Sequence, residues 1–372
     1  MRVRRPRVLQ VLFSFQVGGS EIFALELARH LAARGAEVLC GALDGSPGPI
    51  LARCEAYGIR AVDLRISTTN PLTRNGISLR LARELRDLRL DAIHLQHFLG
   101  LNKLGLPATL AGIRRIVVTE HSRFDVSQSL AGRLRTRLNW RMASAITVVH
   151  SDIRDYLCGE LGLPEERVTV IPLGVDVESY DRRDREAWRS KLGLASDELA
   201  FVFVGRLAPV KNVPGLISAF LTAIARQRPA ARLLIVGDGA DRASCEALIR
   251  AHPHGSKVSL LGEQPDSRPY LAAGDVFVMN SLSEGTPRAL LEAMASGLSA
   301  ICTAVGGVPD ILAEGRGRLT RADDQASLQE AFAAALDDPT FLVAQGAKNR
   351  AYVRAHYDVS SVVERYQRLL LG

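Results

Sequence analysis

The stretch Val276-Phe-Val-Met-Asn-Ser-Leu-Ser-Glu284-Gly-Thr-Pro-Arg-Ala-Leu-Leu-Glu292-Ala-Met-Ala-Ser-Gly297 changes character partway along. Its first four residues are apolar without alternation, the pattern of a strand covered on both faces in a parallel sheet. From Pro287 onward the stretch reads as a helix. Thr286 is a suitable N-cap, Pro287 suits the first helical position and Gly297 suits the position after the C-cap. A helix starting at Pro287 leaves the backbone N–H groups of Gly285 and Thr286 unpaired, and such a terminus attracts anions. Glu284 precedes the cap, and Glu292 leans back toward the same end. Two carboxylates beside a phosphate-binding terminus make sense when the phosphate carries hydroxyl-rich groups on either side, because carboxylates accept strong hydrogen bonds from hydroxyls. The alternative is a capped surface helix with a solvated glutamate.

Outward from this stretch, short apolar β-branched runs alternate with helix-period segments. Strands are expected at Arg7–Phe13, Val38–Leu43, Ala61–Leu64, Ala92–Leu95, Ile116–Thr119, Ala145–Val149 and Val168–Ile171. A second series lies at Leu199–Val204, Leu233–Val236, Val258–Leu261, Val276–Met279 and Ala300–Thr303. Helical patterns such as Glu21–Ala33, Ile77–Leu88, Val213–Arg226 and Ala289–Ser296 lie between them. The alternation predicts an α/β protein with parallel sheets covered by helices. Pro172 and Gly174 end a strand, the charged run Asp181–Glu186 comes next, and the alternation restarts at Leu199. The expected division is therefore residues 1–180 and 181–357, with a C-terminal helix over about 358–372 placed to return to the first domain. Open α/β sheets bind ligands outside the carboxyl ends of their strands, so two facing sheets would form one cleft.

Val204-Gly-Arg206-Leu-Ala-Pro-Val-Lys211-Asn212 places two cations at the carboxyl end of a strand, where they can neutralise a leaving diphosphate. With Glu284-x7-Glu292, this segment resembles the donor site of glycosyltransferase family 4, and the resemblance extends over nearly the whole chain. It implies a GT-B fold, two Rossmann-like domains facing across a cleft. In that family the first Glu lies by the donor sugar, the second binds the ribose hydroxyls, and an Arg and a Lys grip the diphosphate. Carried over, these are Glu284, Glu292, Arg206 and Lys211, with Gly285, Thr286 and Pro287 meeting the donor. Leu234–Gly239, the loop Leu261–Asp266 and Val305-Gly-Gly-Val-Pro309 match further family segments in order and spacing.

In the first half, Val17-Gly18-Gly19-Ser20-Glu21 comes after the first strand, and Ser20 can cap the helix it opens. It is not GxGxxG, so it supports no dinucleotide fingerprint. By resemblance, Gly18 and Gly19 line the cleft near the donor phosphates. Thr119-Glu-His121-Ser122 ends another strand, and the resemblance puts His121 beside the reacting sugar. His97 is a weaker candidate, and His94 alternates with it inside a strand as a packing residue. Residues 131–143 read as a helix with Leu134, Leu138 and Met142 on one face and Arg133, Arg135, Arg137 and Arg141 as cations. That helix either lies on an anionic membrane or faces the core with an Arg-rich solvent side.

The positive charge is uneven. Residues 1–190 hold 28 Lys and Arg against 21 Asp and Glu, whereas residues 191–372 hold 19 of each. The basic half points to an anionic partner or to solvated surface. Aromatic residues make up only 5%, without the aromatic–basic interleaving of a nucleic-acid surface. Five scattered cysteines form no pairing framework and read as core residues in a reducing cytoplasm. No apolar run approaches the roughly 18 residues that span a bilayer. No His/Cys/Asp cluster has metal-ligand spacing, and no Asp-x-Asp is present, so neither a metal nor another cofactor is expected. The sequence therefore points to a cytoplasmic enzyme, peripheral on the inner membrane face, that moves a sugar from a nucleotide sugar to the hydroxyl of a glycan or lipid-linked acceptor. The resemblance implies retention of anomeric configuration, favours a UDP-sugar, and by family habit places the enzyme in bacterial cell-surface polysaccharide or glycolipid synthesis. The alternatives are a nucleotide-sugar epimerase on the same architecture, or a non-catalytic nucleotide-sugar binder.

Overall fold

A computed structural model of the chain describes residues 4–45, 47–64, 78–121, 130–227 and 230–372. The chain forms two compact units: Met1–Gly174 with Ser360–Gly372, and Val175–Val359. In the first unit the strands are β1 (Arg7–Leu12), β2 (Glu37–Ala42), β3 (Arg60–Val62), β4 (Ala92–Gln96), β5 (Arg115–Glu120), β6 (Ala145–Val148) and β7 (Val168–Val170). Its helices are α1 (Gly19–Ala33), α2 (Pro49–Ala56), α3 (Leu79–Asp87), α4 (Phe98–Leu110), α5 (Leu130–Asn139) and α6 (Ser151–Leu161). The second unit holds β8 (Leu199–Val204), β9 (Ala231–Val236), β10 (Val258–Leu260), β11 (Val276–Met279), β12 (Ser299–Thr303) and β13 (Arg318–Thr320). With them run α7 (Arg185–Lys191), α8 (Val213–Gln227), α9 (Arg242–Ala251), α10 (Arg268–Ala273), α11 (Arg288–Ala295), α12 (Val308–Ile311), α13 (Gln325–Asp337) and α14 (Pro339–Tyr357). The last helix, α15 (Val359–Leu371), returns to the first unit.

Among the described residues the sheets have the orders β3-β2-β1-β4-β5-β6-β7 and β10-β9-β8-β11-β12-β13, with parallel pairing throughout. Both are Rossmann-like. The order reverses between β1 and β4 in one sheet and between β8 and β11 in the other. In a doubly wound sheet that switch point opens a crevice at the strand carboxyl ends, because the connections on either side depart in opposite directions. β13 lay outside the expected strands, since Arg318-Leu-Thr320 is too short and polar to stand out.

The domain edge falls at Gly174/Val175, a few residues before the one expected at 180. Val175 and Val177 are fully buried in the second unit, and Arg350 donates a hydrogen bond to the Tyr180 carbonyl at 2.6 Å. Apolar burial, which sets the edge, ends later than the Pro–Gly strand end and earlier than the charged run. In the second core, Phe201, Phe220 and Phe332 meet edge to face with centroids 5.1–5.7 Å apart. Each such pair adds about 0.5–1.5 kcal/mol beyond its buried area. Tyr366 of α15 is fully buried, and its hydroxyl lies 3.0 Å from Thr119 Oγ1 and 3.2 Å from Thr147 Oγ1.

Candidate functional site

At the second switch point, β8 ends in Gly205-Arg206. The loop is held by backbone: Gly205 N–H donates to Val236 O at 3.0 Å and Leu207 N–H to Asp238 O at 2.9 Å. Gly237 has φ +139°, and a Cβ there would sit 1.9 Å from Gly205 O, so only glycine allows this approach. The Arg206 side chain is exposed and makes no ion pair with a described residue. A single 3₁₀ turn over Pro209–Lys211 then brings Lys211 back over the strand end, and Asn212 closes it at φ +45°. Lys211 Nζ donates to Glu284 Oε1 at 2.5 Å. Ser281 Oγ donates to the same oxygen at 2.6 Å. Leu282 N–H donates to Val210 O at 2.8 Å, joining the two loops through their backbones.

The loop after β11 has a floor. Thr303 Oγ1 donates to Ser281 O at 2.6 Å, and Gly307 N–H donates to Gly285 O at 2.9 Å. Gly306, at φ +53°, lies so close that a Cβ would be 2.0 Å from Glu284 O. The segment Val305–Pro309 is thus a support for Glu284.

The helix itself starts one residue later than expected. Pro287 is the N-cap, with extended backbone, and α11 begins at Arg288. Thr286 is not the cap, and Pro287 has no N–H to offer. Gly297 does occupy the left-handed position after the C-cap, at φ +73°. Glu292 is nearly buried, and Arg288 Nε donates to its Oε1 at 2.7 Å. Each carboxylate here is therefore paired with its own cation, Glu284 with Lys211 and Glu292 with Arg288. That Arg288 partnership was not foreseen, although the i,i+4 spacing was visible in the sequence.

At the first switch point, α1 begins at Gly19 with Gly18 as N-cap. Ser20 does not cap the helix, and its hydroxyl donates instead to Glu21 Oε2 at 2.8 Å. Beyond β4 and β5 a polar network fills the strand ends. Glu120 is fully buried and accepts three hydrogen bonds. His97 Nδ1–H reaches its Oε1 at 2.7 Å, His121 N–H the same oxygen at 3.0 Å, and Phe98 N–H its Oε2 at 3.0 Å. His97 has φ +77° and ψ +148°, a region natural to glycine, which costs a histidine on the order of 1–3 kcal/mol. His121 Nε2–H donates to Gln96 Oε1 at 2.6 Å. Gln96 Nε2 in turn donates to Gln10 Oε1 and His94 Nδ1, each at 3.3 Å, and His94 Nε2–H donates to Thr119 Oγ1 at 2.7 Å. His94 is thus a buried packing residue, as its place in the strand indicated.

The three histidines differ in charge. Burial pushes His94 down to about 3. Burial, then the neighbouring His97 and His94, holds His121 well below the ordinary histidine value, so it is neutral. Burial opposes charge on His97 too. The hydrogen bond and charge of Glu120, with the charge of Glu21, outweigh it and raise His97 above about 6.5. Stabilisation from this pair is complete below the unfolded histidine value and is lost as pH climbs through the raised one. Glu120, Gln96 and Glu21 were missed by sequence reasoning. For Gln96 and Glu120 the signal was a polar residue ending an otherwise apolar strand, and for Glu21 an acidic residue in the first turn of α1.

The basic helix resolves in one respect. Leu134 and Leu138 of α5 are each 59% exposed, so they do not face the core. The side chains of Arg133 and Arg135 lie outside the described residues. Arg137 Nε donates to Leu161 O at 2.8 Å, and Arg141 stacks over Trp140. No helix among the described residues is long and apolar enough to cross a membrane. No group of three or more His, Cys, Asp or Glu among them could hold a metal. The five cysteines are free, four of them buried.

Two Rossmann-like units, one presenting cations and carboxylates at its switch point, define a GT-B glycosyltransferase. The profile described as Glycosyltransferase Family 4 matches residues 17–179, and that described as Glycosyl transferases group 1 matches residues 184–354. The chain belongs to this family of glycosyltransferases, of hexosyltransferase type. A GDP-mannose-dependent monoacylated alpha-(1-6)-phosphatidylinositol monomannoside mannosyltransferase of Corynebacterium glutamicum is 34% identical over 54% of this chain, and the match spans only 55% of that protein. N-acetyl-alpha-D-glucosaminyl L-malate synthase of Bacillus anthracis is 24% identical over 95% of this chain and 93% of its own. The structure of Anabaena HepE in complex with UDP superposes with a TM-score of 0.84, at 19% identity, covering 98% of this chain and 99% of that one.

Proposed function

We propose that this glycosyltransferase moves a sugar from a nucleotide sugar, UDP-linked by preference, to a hydroxyl acceptor with retention of anomeric configuration. The observation that carries the reading is an exposed Arg206, without an ion pair among the described residues, beside a Lys211–Glu284 pair at the carboxyl ends of β8 and β11. In this reading Arg206 and the start of α11 receive the diphosphate, and Lys211 is drawn from Glu284 toward it as charge develops on the leaving group. Such preorganised charge is worth most where negative charge builds up during reaction. Glu284 is then free to accept from a sugar hydroxyl, while Glu292, oriented by Arg288, accepts from the ribose. Ser281 keeps Glu284 in place when Lys211 leaves it. The leaving phosphate takes the acceptor proton in a front-face attack, so no protein nucleophile is assigned. Gly18, Gly19 and His121 serve the first unit's side of the reaction, and no metal is required.

The acceptor is a glycan or a lipid-linked molecule of bacterial cell-surface polysaccharide or glycolipid synthesis. The relatives named for lipid-linked products support that class, and Anabaena HepE, solved with UDP, supports the donor. Exposed Leu134 and Leu138 beside Arg137 and Arg141 fit an anionic bilayer surface, with apolar side chains entering the headgroup boundary and cations meeting lipid phosphates. The protein would then work in the cytoplasm, on the inner face of the membrane. The test is a thermal-shift and calorimetric comparison of UDP, GDP and their sugar conjugates, combined with NMR of the product's anomeric proton. A ligand at 100 times its dissociation constant adds about 2.7 kcal/mol of stability. Absence of binding by every sugar nucleotide, or an inverted product, would overturn the reading.

A further inference from the structure

Glu120 and Gln96 are positioned to fix the two histidines in opposite hydrogen-bonding states. Glu120 Oε1 accepts a hydrogen bond from His97 Nδ1–H at 2.7 Å and Gln96 Oε1 accepts one from His121 Nε2–H at 2.6 Å. His97 Nε2 and His121 Nδ1 have no partner among the described residues. The rings lie side by side, with centroids 5.2 Å apart. His97 holds a backbone conformation foreign to histidine, and strain of that kind persists only where the surroundings over-determine it. Three hydrogen bonds to one buried carboxylate supply that over-determination.

We propose that His97 and His121 form a hydroxyl-recognition pair for a sugar or polyol, His97 Nε2–H donating to one ligand oxygen and His121 Nδ1 accepting from a neighbouring hydroxyl. The proposal rests on the glycosyltransferase reading and adds His97 as a ligand-contacting residue, with Glu120 and Gln96 as its positioning residues. A carbohydrate oxygen both donates and accepts, so a fixed donor beside a fixed acceptor matches two adjacent hydroxyls and selects their orientation. An anion fits less well. The groups facing His97 are Glu21 from α1, and Glu120 and His121 from the end of β5. Two carboxylates against one imidazolium leave that surrounding negative, which repels phosphate and tolerates a neutral hydroxyl. Recognition should weaken as pH rises through the raised His97 value, because the proton on Nε2 then ceases to be secure.

Histidine ring-nitrogen NMR on the full chain, with D-glucose and glycerol as probes, tests this. His97 should hold both ring protons above the ordinary histidine range, while His121 stays neutral with its proton on Nε2. Glucose should move His97 Nε2 and His121 Nδ1. Glu120→Gln should lower the His97 titration and weaken glucose about tenfold or more, the scale of one lost charge-assisted hydrogen bond. His97→Asn, which keeps a neutral donor, should weaken glucose similarly and abolish its pH dependence, and it carries the test if the Glu120 variant does not fold. Two rings titrating together in the ordinary range, or neither probe moving either ring, would overturn the pair. UDP and GDP calorimetry, run alongside, separates the two readings. Nucleotide binding with silent histidines sinks the pair alone, and responsive histidines without nucleotide binding sink the donor assignment alone.

Discussion

The two switch points share a topology and differ in chemistry. At β1 and β4 the strand ends carry a buried network of His, Gln, Thr and Glu whose members are mostly satisfied by one another. At β8 and β11 they carry long cations and carboxylates on loops, with Arg206 left exposed. The same fold thus places one interlocked hydrogen-bonding surface of buried imidazoles, amides and carboxylate and one surface of longer cations paired with carboxylates. The doubly wound sheet decides where a ligand can bind, whereas the few side chains at strand ends decide what kind. Imidazoles fixed by their partners suit the recognition of hydroxyl positions. Ammonium and guanidinium groups suit an anionic ligand such as a diphosphate.

The sharpest way to break this contrast is to remove the charged surface. Arg206→Ala and Lys211→Ala should each lower kcat on the order of 100-fold, the scale of losing one preorganised charge partner. Thermal midpoints should barely move, since neither side chain is buried. Full activity in both folded variants would show that the charges do not serve the diphosphate.

The carboxylates should then separate in kind. Glu284→Gln weakens the hold on both Lys211 and the sugar, so kcat should fall by about 10- to 100-fold, the range of one charge-assisted bond, while bare UDP binds as tightly as before or tighter. Glu292→Gln should instead raise the donor KM and weaken bare UDP, because a ribose contact persists from ground state to transition state. Calorimetry with UDP on both variants reads the difference, and equal weakening would void the assignment.

The interlocked surface can be probed through its strain. His97→Gly and His97→Asn both lose the Glu120 pair, but only glycine is at home at φ +77°. The glycine variant should be more stable than the asparagine variant by about 1–3 kcal/mol in denaturant unfolding. Equal stability would mean the backbone relaxes freely and the network is not held in place.

Smaller effects concern the exposed face of α5. Replacing Leu134 and Leu138 by Ser, with Arg137 and Arg141 by Ser, should release the protein from phosphatidylglycerol vesicles, at about 1 kcal/mol per cation near the surface. Binding should also fade with salt, since exposed charges are screened within about 10 Å at 0.1 M. Salt-insensitive binding would assign that face elsewhere. The smallest expected effect is none at all: excess EDTA should leave transfer unchanged, and abolition with rescue by Mg²⁺ would transfer the role of Arg206 and Lys211 to a metal.

What the sequence determined by itself was the architecture and the charged surface. Both are local. Continuous apolar strands alternating with helices require parallel sheets; Arg206, Lys211 and Glu284 lie in the loops beyond strands that apolar runs reveal, and Glu292 lies in the helix after one of them. Helix ends were legible to within a residue or two, as Pro287 illustrates: its fixed φ suits both N-cap and first-turn positions. The tertiary structure alone decided the partners. Lys211 meets Glu284 across 73 positions, and His97 meets Glu120 across 23, because β8 lies against β11 and β4 against β5. The return of α15, which seats Tyr366 on Thr119, spans 247 positions. Hydrogen bonds of that kind depend on strand order, and strand order is set by how the helices cover both faces of the sheet at once. No window along the chain contains that information, so the charge states of the histidines became visible only when Glu120, Gln96 and Glu21 were brought beside them.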